Sequence, residues 1–234
     1  MSGHSKWSQI KRSKGAADVR RAKVFTQLAK AITVAARLGK NLDTAIDAAK
    51  SANMPKDNID RAIKRGTGEL GDGVQIEEVL YEAYGPGGAA LLIPTLTDSR
   101  NRMAGDLRAI ANKFHITLAQ PGAVRFLFQE RGILEVELGS NSEETQLLLI
   151  DCGIDDIDVE DDRLVGYCSP DQISRAKNAV ELAHLKILES RIGFVPKLLH
   201  NISQDDQEQL IKTIEVIEEL EDVNSVGTNA RFID

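Results

Sequence analysis

The sequence predicts an α+β, multidomain protein. An N-terminal three-helix domain is followed by two α+β domains of the ferredoxin-like (split βαβ) type, one inserted in the other. The hydrophobic pattern changes from helical to strand-like spacing near residue 74. Residues 1–68 contain 15 Lys and Arg against 5 Asp and Glu, whereas residues 69–234 contain 14 against 31. We therefore expect a basic helical domain over 1–73, an α+β domain over 74–130 plus 198–234, and an inserted α+β domain over 131–197.

The N-terminal stretch, residues 2–37, is typical of a basic arm that leads into an amphipathic helix. The arm carries four cations and the only tryptophan of the chain: Lys6, Trp7, Lys11, Arg12 and Lys14. Apolar residues fall on one side of the helix: Val24, Phe25, Leu28, Ile32, Ala35 and Ala36. Mostly cationic residues fall on the other side: Arg20, Lys23, Gln27, Lys30 and Arg37. We expect the second side to face a polyanion, and the alternative is a solvated charged face.

Two shorter helices complete the predicted helical domain. One covers 42–52, and the other begins at Pro55, a residue that suits the first helical position. This third helix adds cations at Arg61, Lys64 and Arg65. Residues 66–73 are expected to form a glycine-rich linker. Its glycines fit the spacing G-x-G-x-x-G, but no strand precedes them and no crossover helix follows, so we expect no dinucleotide site.

Short strands alternate with helices in the remainder of the chain. The expected strands cover 79–84, 89–97, 124–129, 133–138, 157–160, 164–168, 192–200 and 225–232. The expected helices cover 100–114, 140–152, 170–189 and 204–220. From residue 133 the order is strand, helix, strand, strand, helix, strand, which is the split βαββαβ pattern. The flanking elements then form a second sheet that is closed by the C-terminal strand.

Residues 97–102 (TDSRNR) lie where a strand is expected to turn into a helix. The helix dipole disfavours arginine in a first turn, so Arg100 and Arg102 could face a phosphate there. The alternative is an ion pair of these arginines with acids such as Glu82 or Asp106. The residues themselves leave both readings open.

No catalytic centre is expected from the residue patterns. Cys152 and Cys168 lack the spacing of a metal site, and the four histidines share no metal-binding pattern. No nucleophile motif or phosphate loop is present. We expect no catalytic residue, cofactor, metal or small-molecule substrate. A signal peptide and a membrane-spanning run are also missing from the pattern, so we expect a cytoplasmic protein without a membrane partner.

Four blocks of residues resemble the signature motifs of the YebC family. They are 3–7 (GHSKW), 53–63 (NMPKDNIDRAI), 81–88 (YEAYGPGG) and 97–102 (TDSRNR). The family comprises bacterial probable transcriptional regulators and the related mitochondrial translational activator of cytochrome oxidase. This chain departs from the family pattern at Ala83, at Ser99 and at 114–116, where a Gly-Gly pair is usual. The resemblance implies three domains, a cytoplasmic location, no catalysis and action on gene expression, through promoter DNA or at the ribosome.

We therefore predict a non-enzymatic regulator that binds nucleic acid through its basic N-terminal domain. The expected phosphate contacts are Lys6, Lys11, Arg12, Lys14, Arg20, Arg21, Lys23 and Lys30, with Trp7 stacking on an unpaired base. Secondary contacts are Arg61, Lys64, Arg65, Arg100 and Arg102. DNA and ribosomal RNA are both candidate partners, because charge does not distinguish them. A ribosome-associated translation factor is one alternative function, and a protein-interaction scaffold is another.

Overall fold

A computed structural model describes residues 17–71, 75–139, 142–160 and 162–232 of the chain, with the backbone alone at 17–21. Within these residues the α-helices are α1 (Ala17–Leu38), α2 (Leu42–Ser51), α3 (Lys56–Gly66), α4 (Arg100–Phe114), α5 (Ser142–Asp151), α6 (Ile173–Leu182) and α7 (Gln204–Glu219). The strands are β1 (Glu77–Tyr84), β2 (Ala90–Thr97), β3 (Thr117–Ala119), β4 (Phe128–Glu137), β5 (Asp156–Val159), β6 (Arg163–Cys168), β7 (Ile187–Pro196), β8 (His200–Asn201), β9 (Gly227–Thr228) and β10 (Ala230–Arg231). The predicted α+β class, with a helical N-terminal region followed by sheets, is confirmed.

The chain forms two compact units. The described part of the first unit extends to Phe126 and resumes over 202–228. The described part of the second unit comprises 127–201 together with the residues from Asn229 onward. The first unit contains the three N-terminal helices and one four-stranded sheet, and the second contains another four-stranded sheet.

Helices α1, α2 and α3 pack into a small bundle. Their shared core consists of buried apolar side chains from all three helices and the α2–α3 loop: Ile32, Ala49, Met54, Ile59 and Ala62. Gly66, which we placed in a linker, is instead the last residue of α3. A Cβ at this position would lie 2.3 Å from the carbonyl oxygen of Thr33 in α1. The glycine is therefore required by the close approach of two helices.

The sheet of the first unit has the order β3-β1-β2-β9, with every neighbouring pair antiparallel. Strand β2 supplies the centre of the core, where Leu91, Leu92 and Ile93 are fully buried. Helices α4 and α7 contact each other and contribute further buried residues: Met103, Leu107, Leu210, Ile214 and Ile217. Strand β3 was not predicted. It is only three residues long, too short for a clear alternation of apolar and polar side chains.

The second unit shows the predicted βαββαβ order. Its sheet, β5-β6-β4-β7, is antiparallel throughout. Helices α5 and α6 cover one face of it and form a core with β4 and β6 that includes Leu134, Val136, Leu149, Leu164 and Val180. A short parallel pair, β8 with β10, completes the described part of this unit.

Three expectations about element boundaries were wrong. Where two strands were expected over 124–129 and 133–138, the structure has one, β4, which begins only at Phe128 and continues through Gly132. Gly132 is a close-packing position in this strand and not a break between two strands. A Cβ at Gly132 would lie 2.8 Å from the Sγ atom of Cys168. The helix expected to reach residue 189 ends at Leu182, and His184 adopts φ 58° just beyond it. The C-terminal strand expected over 225–232 is divided between β9 and β10, which belong to different sheets.

Candidate nucleic-acid interface

Helix α1 is enclosed on two sides, which corrects the expectation of a single buried face. Its predicted apolar side packs in the bundle, where Ile32 is fully buried. Its predicted cationic side meets the α+β part of the same unit. There Val34 packs with Ile76 and Leu96, and Gln27 Nε2 donates a hydrogen bond to the carbonyl of Val223. Much of the face we expected to meet a polyanion is therefore occupied by the protein itself.

Lys30 illustrates this occupation most clearly. Its Nζ atom lies 2.6 Å from Oδ1 of Asp222, and only 16% of its side chain is exposed. Binding of phosphate by Lys30 stays a prediction, and in the structure Lys30 forms an internal ion pair instead. The lysine ties α1 to a carboxylate that lies 192 residues further along the chain.

Asp222 collects hydrogen bonds from three elements of the first unit. Besides Lys30 on α1, the hydroxyl of Thr97 on β2 donates to its Oδ2 at 2.7 Å. Nη2 of Arg102 on α4 donates to the same oxygen at 2.7 Å. Burial by itself raises the pKa of Asp222, but these three donors outweigh that effect and hold the pKa below its ordinary value of 3.8. Asp222 thus joins a helix of the bundle to the sheet and to α4.

The block at 97–102 is engaged in internal contacts. Ser99 caps α4 by accepting a hydrogen bond from the backbone N–H of Arg102. Arg100 pairs with Glu77, and Arg102 pairs with Asp98 at 2.8 Å as well as with Asp222. Both arginines therefore form ion pairs, which was the alternative to a phosphate contact, but the partners are not Glu82 or Asp106. Binding of nucleic acid by Arg100 and Arg102 stays a prediction, which has to compete with these ion pairs.

Glu82 has a role that the sequence analysis missed. Its carboxylate accepts hydrogen bonds from the backbone N–H groups of Gly122 at 2.6 Å, Val124 at 2.6 Å and Arg125 at 2.8 Å. Burial by itself raises the pKa of Glu82, but these three N–H donors outweigh it and hold the pKa below its ordinary value of 4.5. A carboxylate on the buried side of a strand was the available signal, since such a group needs donors.

Some of the cations on the outer surface of the bundle are available for binding. Five exposed cations there form no ion pair among the described residues: Arg37, Lys40, Lys56, Arg61 and Lys64. The close contact of Gly66 with α1 extends to Ala36, which places Lys64 and Arg37 at the same end of the bundle. Two of the predicted contacts, Arg61 and Lys64, are therefore among the exposed cations of α3. Lys23 and Arg65 are half-buried and engaged with other groups.

The remaining predicted contacts lie near the N-terminus of the chain. Lys6, Trp7, Lys11, Arg12 and Lys14 lie outside the described residues. Arg20 and Arg21 lie in α1, but their side chains are outside the described part of the chain.

The described residues include no group of three or more His, Cys, Asp and Glu side chains that could hold a metal ion. Cys152 and Cys168 are free thiols, and burial raises the pKa of both, which disfavours the reactive thiolate. Among the helices of this part of the chain, none is long and apolar enough to cross a membrane.

Two family models match the chain. Residues 5–69 match the TACO1/YebC protein N-terminal domain, and residues 76–230 match the TACO1/YebC second and third domain. A relative from Desulfosudis oleivorans, named "Probable transcriptional regulatory protein", is 42% identical over 100% of this chain and 98% of its own. A relative of the same name from Pelotomaculum thermopropionicum is 41% identical over the full length of both.

A solved structure extends the match from sequence to fold. The crystal structure of the conserved hypothetical protein Aq1575 from Aquifex aeolicus superimposes with a TM-score of 0.86 at 36% identity and covers 94% of each chain. The fold of this chain is thus similar to one that has been determined for a relative.

Proposed function

The chain belongs to the TACO1/YebC family, and we propose that it is a non-enzymatic regulator of gene expression that binds nucleic acid through its basic N-terminal domain. The name of its relatives supports the regulatory part of this proposal. The single observation that carries the binding part is the cationic surface of the bundle, defined as Arg37, Lys40, Lys56, Arg61 and Lys64. These side chains are exposed and form no ion pair among the described residues, so a polyanion can reach them.

The charge distribution limits where nucleic acid can bind. The bundle belongs to a region of net charge +10, whereas residues 69–234 carry −17. A polyanion is attracted to the first region and repelled by most of the second. Contact confined to one end of the chain is compatible with a factor that docks on a large nucleic-acid assembly.

The direct test is a charge reversal at the cationic surface. We expect the variant Arg37→Glu, Arg61→Glu, Lys64→Glu to lose most of its affinity for nucleic acid at low salt. A matched control reverses Arg175, Lys186 and Lys212, which are exposed cations outside the bundle. Fluorescence anisotropy with labelled RNA and DNA, measured over a salt series, reports the number of phosphate contacts. Equal affinities for the two variants would contradict the proposal.

A ribosome-associated translation factor is the second candidate function. A basic region on an acidic chain suits structured RNA at least as well as duplex DNA, and the sequence contains no evident recognition-helix motif. Co-sedimentation with ribosomes, compared between wild type and the bundle reversal, separates the candidates. Salt-sensitive co-migration that the reversal abolishes supports the ribosome, whereas retention on duplex DNA alone supports promoter binding.

The division into three domains over 1–73, 74–130 plus 198–234, and 131–197 is part of the proposal. It assigns nucleic-acid binding to the first domain and leaves the other two for further contacts. A protein-interaction scaffold is the outcome if the bundle reversal leaves all partners bound.

A further inference from the structure

The acidic part of the chain contains several stretches without any carboxylate, and the longest of them includes residues 107–126. Residues 107–126 carry Arg108, Lys113 and Arg125 but no Asp or Glu, although residues 69–234 as a whole have a net charge of −17. The stretch runs from the body of α4 through β3 to the end of the first unit. It is therefore a local region to which a polyanion could come close without repulsion from its own residues.

The end of this stretch is a loop held in one conformation. Glu82 accepts three backbone N–H groups from residues 122–125, as described above. The hydroxyl of Tyr84, two residues further along β1, donates to the carbonyl of Ala123 at 3.2 Å. Glu82 and Tyr84, both on β1, thus hold three backbone N–H groups and one backbone carbonyl of the loop in place. A loop fixed in this way displays the side chains that follow it with little loss of entropy on binding.

The loop displays an aromatic ring in water. Phe126 is 64% exposed, and Tyr84 is 40% exposed beside the same loop. Arg125 directly precedes Phe126. Strand β3, at the edge of the sheet, pairs with the end of β1, and Thr117 lies opposite Tyr84. Helix α4 ends at Phe114, shortly before β3 begins, so the C-terminal end of α4 lies at this edge of the sheet too. Lys113 lies there, with its Nζ atom 5.4 Å from the ring centroid of Phe114.

We propose that Phe126 is a stacking platform for an unpaired nucleobase, and that Arg125 contacts a phosphate beside that base. This inference rests on the proposed function. It narrows the expected partner to nucleic acid with unpaired bases, which occur in RNA loops and single strands but not in intact duplex DNA. An exposed aromatic ring that directly follows a cation, in a stretch of the chain without acids, supplies a π-face and a positive charge, which are the two features that single-strand binding uses. A protein partner would use the same ring as an apolar anchor, which the test below distinguishes.

The test measures the affinity of the full chain for a labelled single-stranded oligonucleotide and for a duplex of the same length. Phe126→Ala is expected to weaken single-strand binding about 5- to 150-fold, the usual range for losing one stacked base, and to leave duplex binding unchanged. Phe126→Trp is expected to retain or improve single-strand binding. Phe126→Leu keeps the apolar bulk without a π-face and is expected to behave like Phe126→Ala. Arg125→Ala is expected to reduce the salt slope by about one.

Two controls keep the outcome interpretable. Leu182→Ala, at another large exposed side chain, is expected to leave binding unchanged. Circular dichroism and thermal unfolding of each variant confirm the fold, and an exposed position such as 126 should not alter it.

The possible results separate this inference from the function on which it depends. If wild type binds single strands but Phe126→Ala binds equally well, the stacking platform is refuted and the proposed function stands. If Phe126→Leu binds as wild type does, the ring is an apolar contact and the inference fails. If wild type binds no nucleic acid under low salt, the proposed function itself fails.

Discussion

The cations of the first unit are used in two opposite ways. Lys30 and Arg102 point at the carboxylate of Asp222 and join three elements of the fold. Arg61 and Lys64, on α3, remain exposed without an ion-pair partner among the described residues. The two groups of residues look alike in the sequence, since each of these cations lies on a helix. The difference teaches that a basic segment contains structural and available charges, and that only the partner distinguishes them.

The largest effect is expected from removing the shared carboxylate. Asp222→Asn keeps the shape of the side chain but leaves Lys30, which is largely buried, without a charge partner. We expect the free energy of unfolding to fall by about 3 kcal/mol, at the lower end for broken buried pairs because Arg102 is half-exposed. Urea unfolding measures this loss. A loss below about 0.5 kcal/mol, the usual size of a surface effect, would show that the cluster is not structural.

The contact between α1 and α3 is expected to be nearly as sensitive. Gly66→Ala places a methyl group against the carbonyl of Thr33 and the side chain of Ala36, which the helices relieve only by moving apart. We expect a destabilisation of about 1–3 kcal/mol, as for other overpacked sites. Gly105→Ala is the matched control, because nothing lies within 4 Å of a Cβ at that helical position. The control should be neutral or stabilising.

Two of the buried carboxylates, Asp222 and Glu82, are expected to make the protein sensitive to acid. The pKa values of Asp222 and Glu82 are lowered in the folded state, so their stabilising effect is present above their ordinary values of 3.8 and 4.5. It is lost as the pH falls through the lower folded values. Glu82→Gln should reduce stability at neutral pH by about 1–3 kcal/mol, because its amide group faces backbone donors. It should also flatten the decline in acid, as measured by thermal unfolding over the pH range.

The smallest effect on stability is expected on the cationic surface of the bundle. Arg61→Ala with Lys64→Ala should change the free energy of unfolding by about 0.5 kcal/mol or less, since both side chains are exposed. The same variant should reduce the salt dependence of nucleic-acid binding by about one slope unit for each cation removed. The bundle variant should therefore lose nucleic-acid binding without losing stability, whereas Asp222→Asn should lose stability. This contrast separates the cations that bind from the cations that hold the fold together. A large loss of stability in the bundle variant would contradict this distinction between the two groups of cations.

Local patterns in the sequence were sufficient for much of the fold. The helices of the bundle and the βαββαβ order of the second unit follow from hydrophobic spacing and turn residues, which act over a few positions. The errors occurred where the conformation or packing of a residue depends on parts of the chain that are not its neighbours in sequence, or on a backbone conformation unusual for its residue type. Gly132 lies between two strands that we expected to be separate, because the residue that explains this glycine, Cys168, approaches it from another strand. His184 ends a helix by a left-handed conformation that is uncommon for residues other than glycine.

The sequence by itself determined the fold class, the segregation of charge and the family motifs, because these depend on composition and on order along the chain. The tertiary structure alone decided which charges are available. The second side of α1 faces Asp222 and Val223, and no periodicity within α1 can indicate a partner almost two hundred residues away. Likewise, Glu82 supports the loop that displays Phe126 only because β1 passes beneath residues 122–125. Pairing over such distances is set by packing of the whole unit, which is why the site could be located only in part before the fold was known.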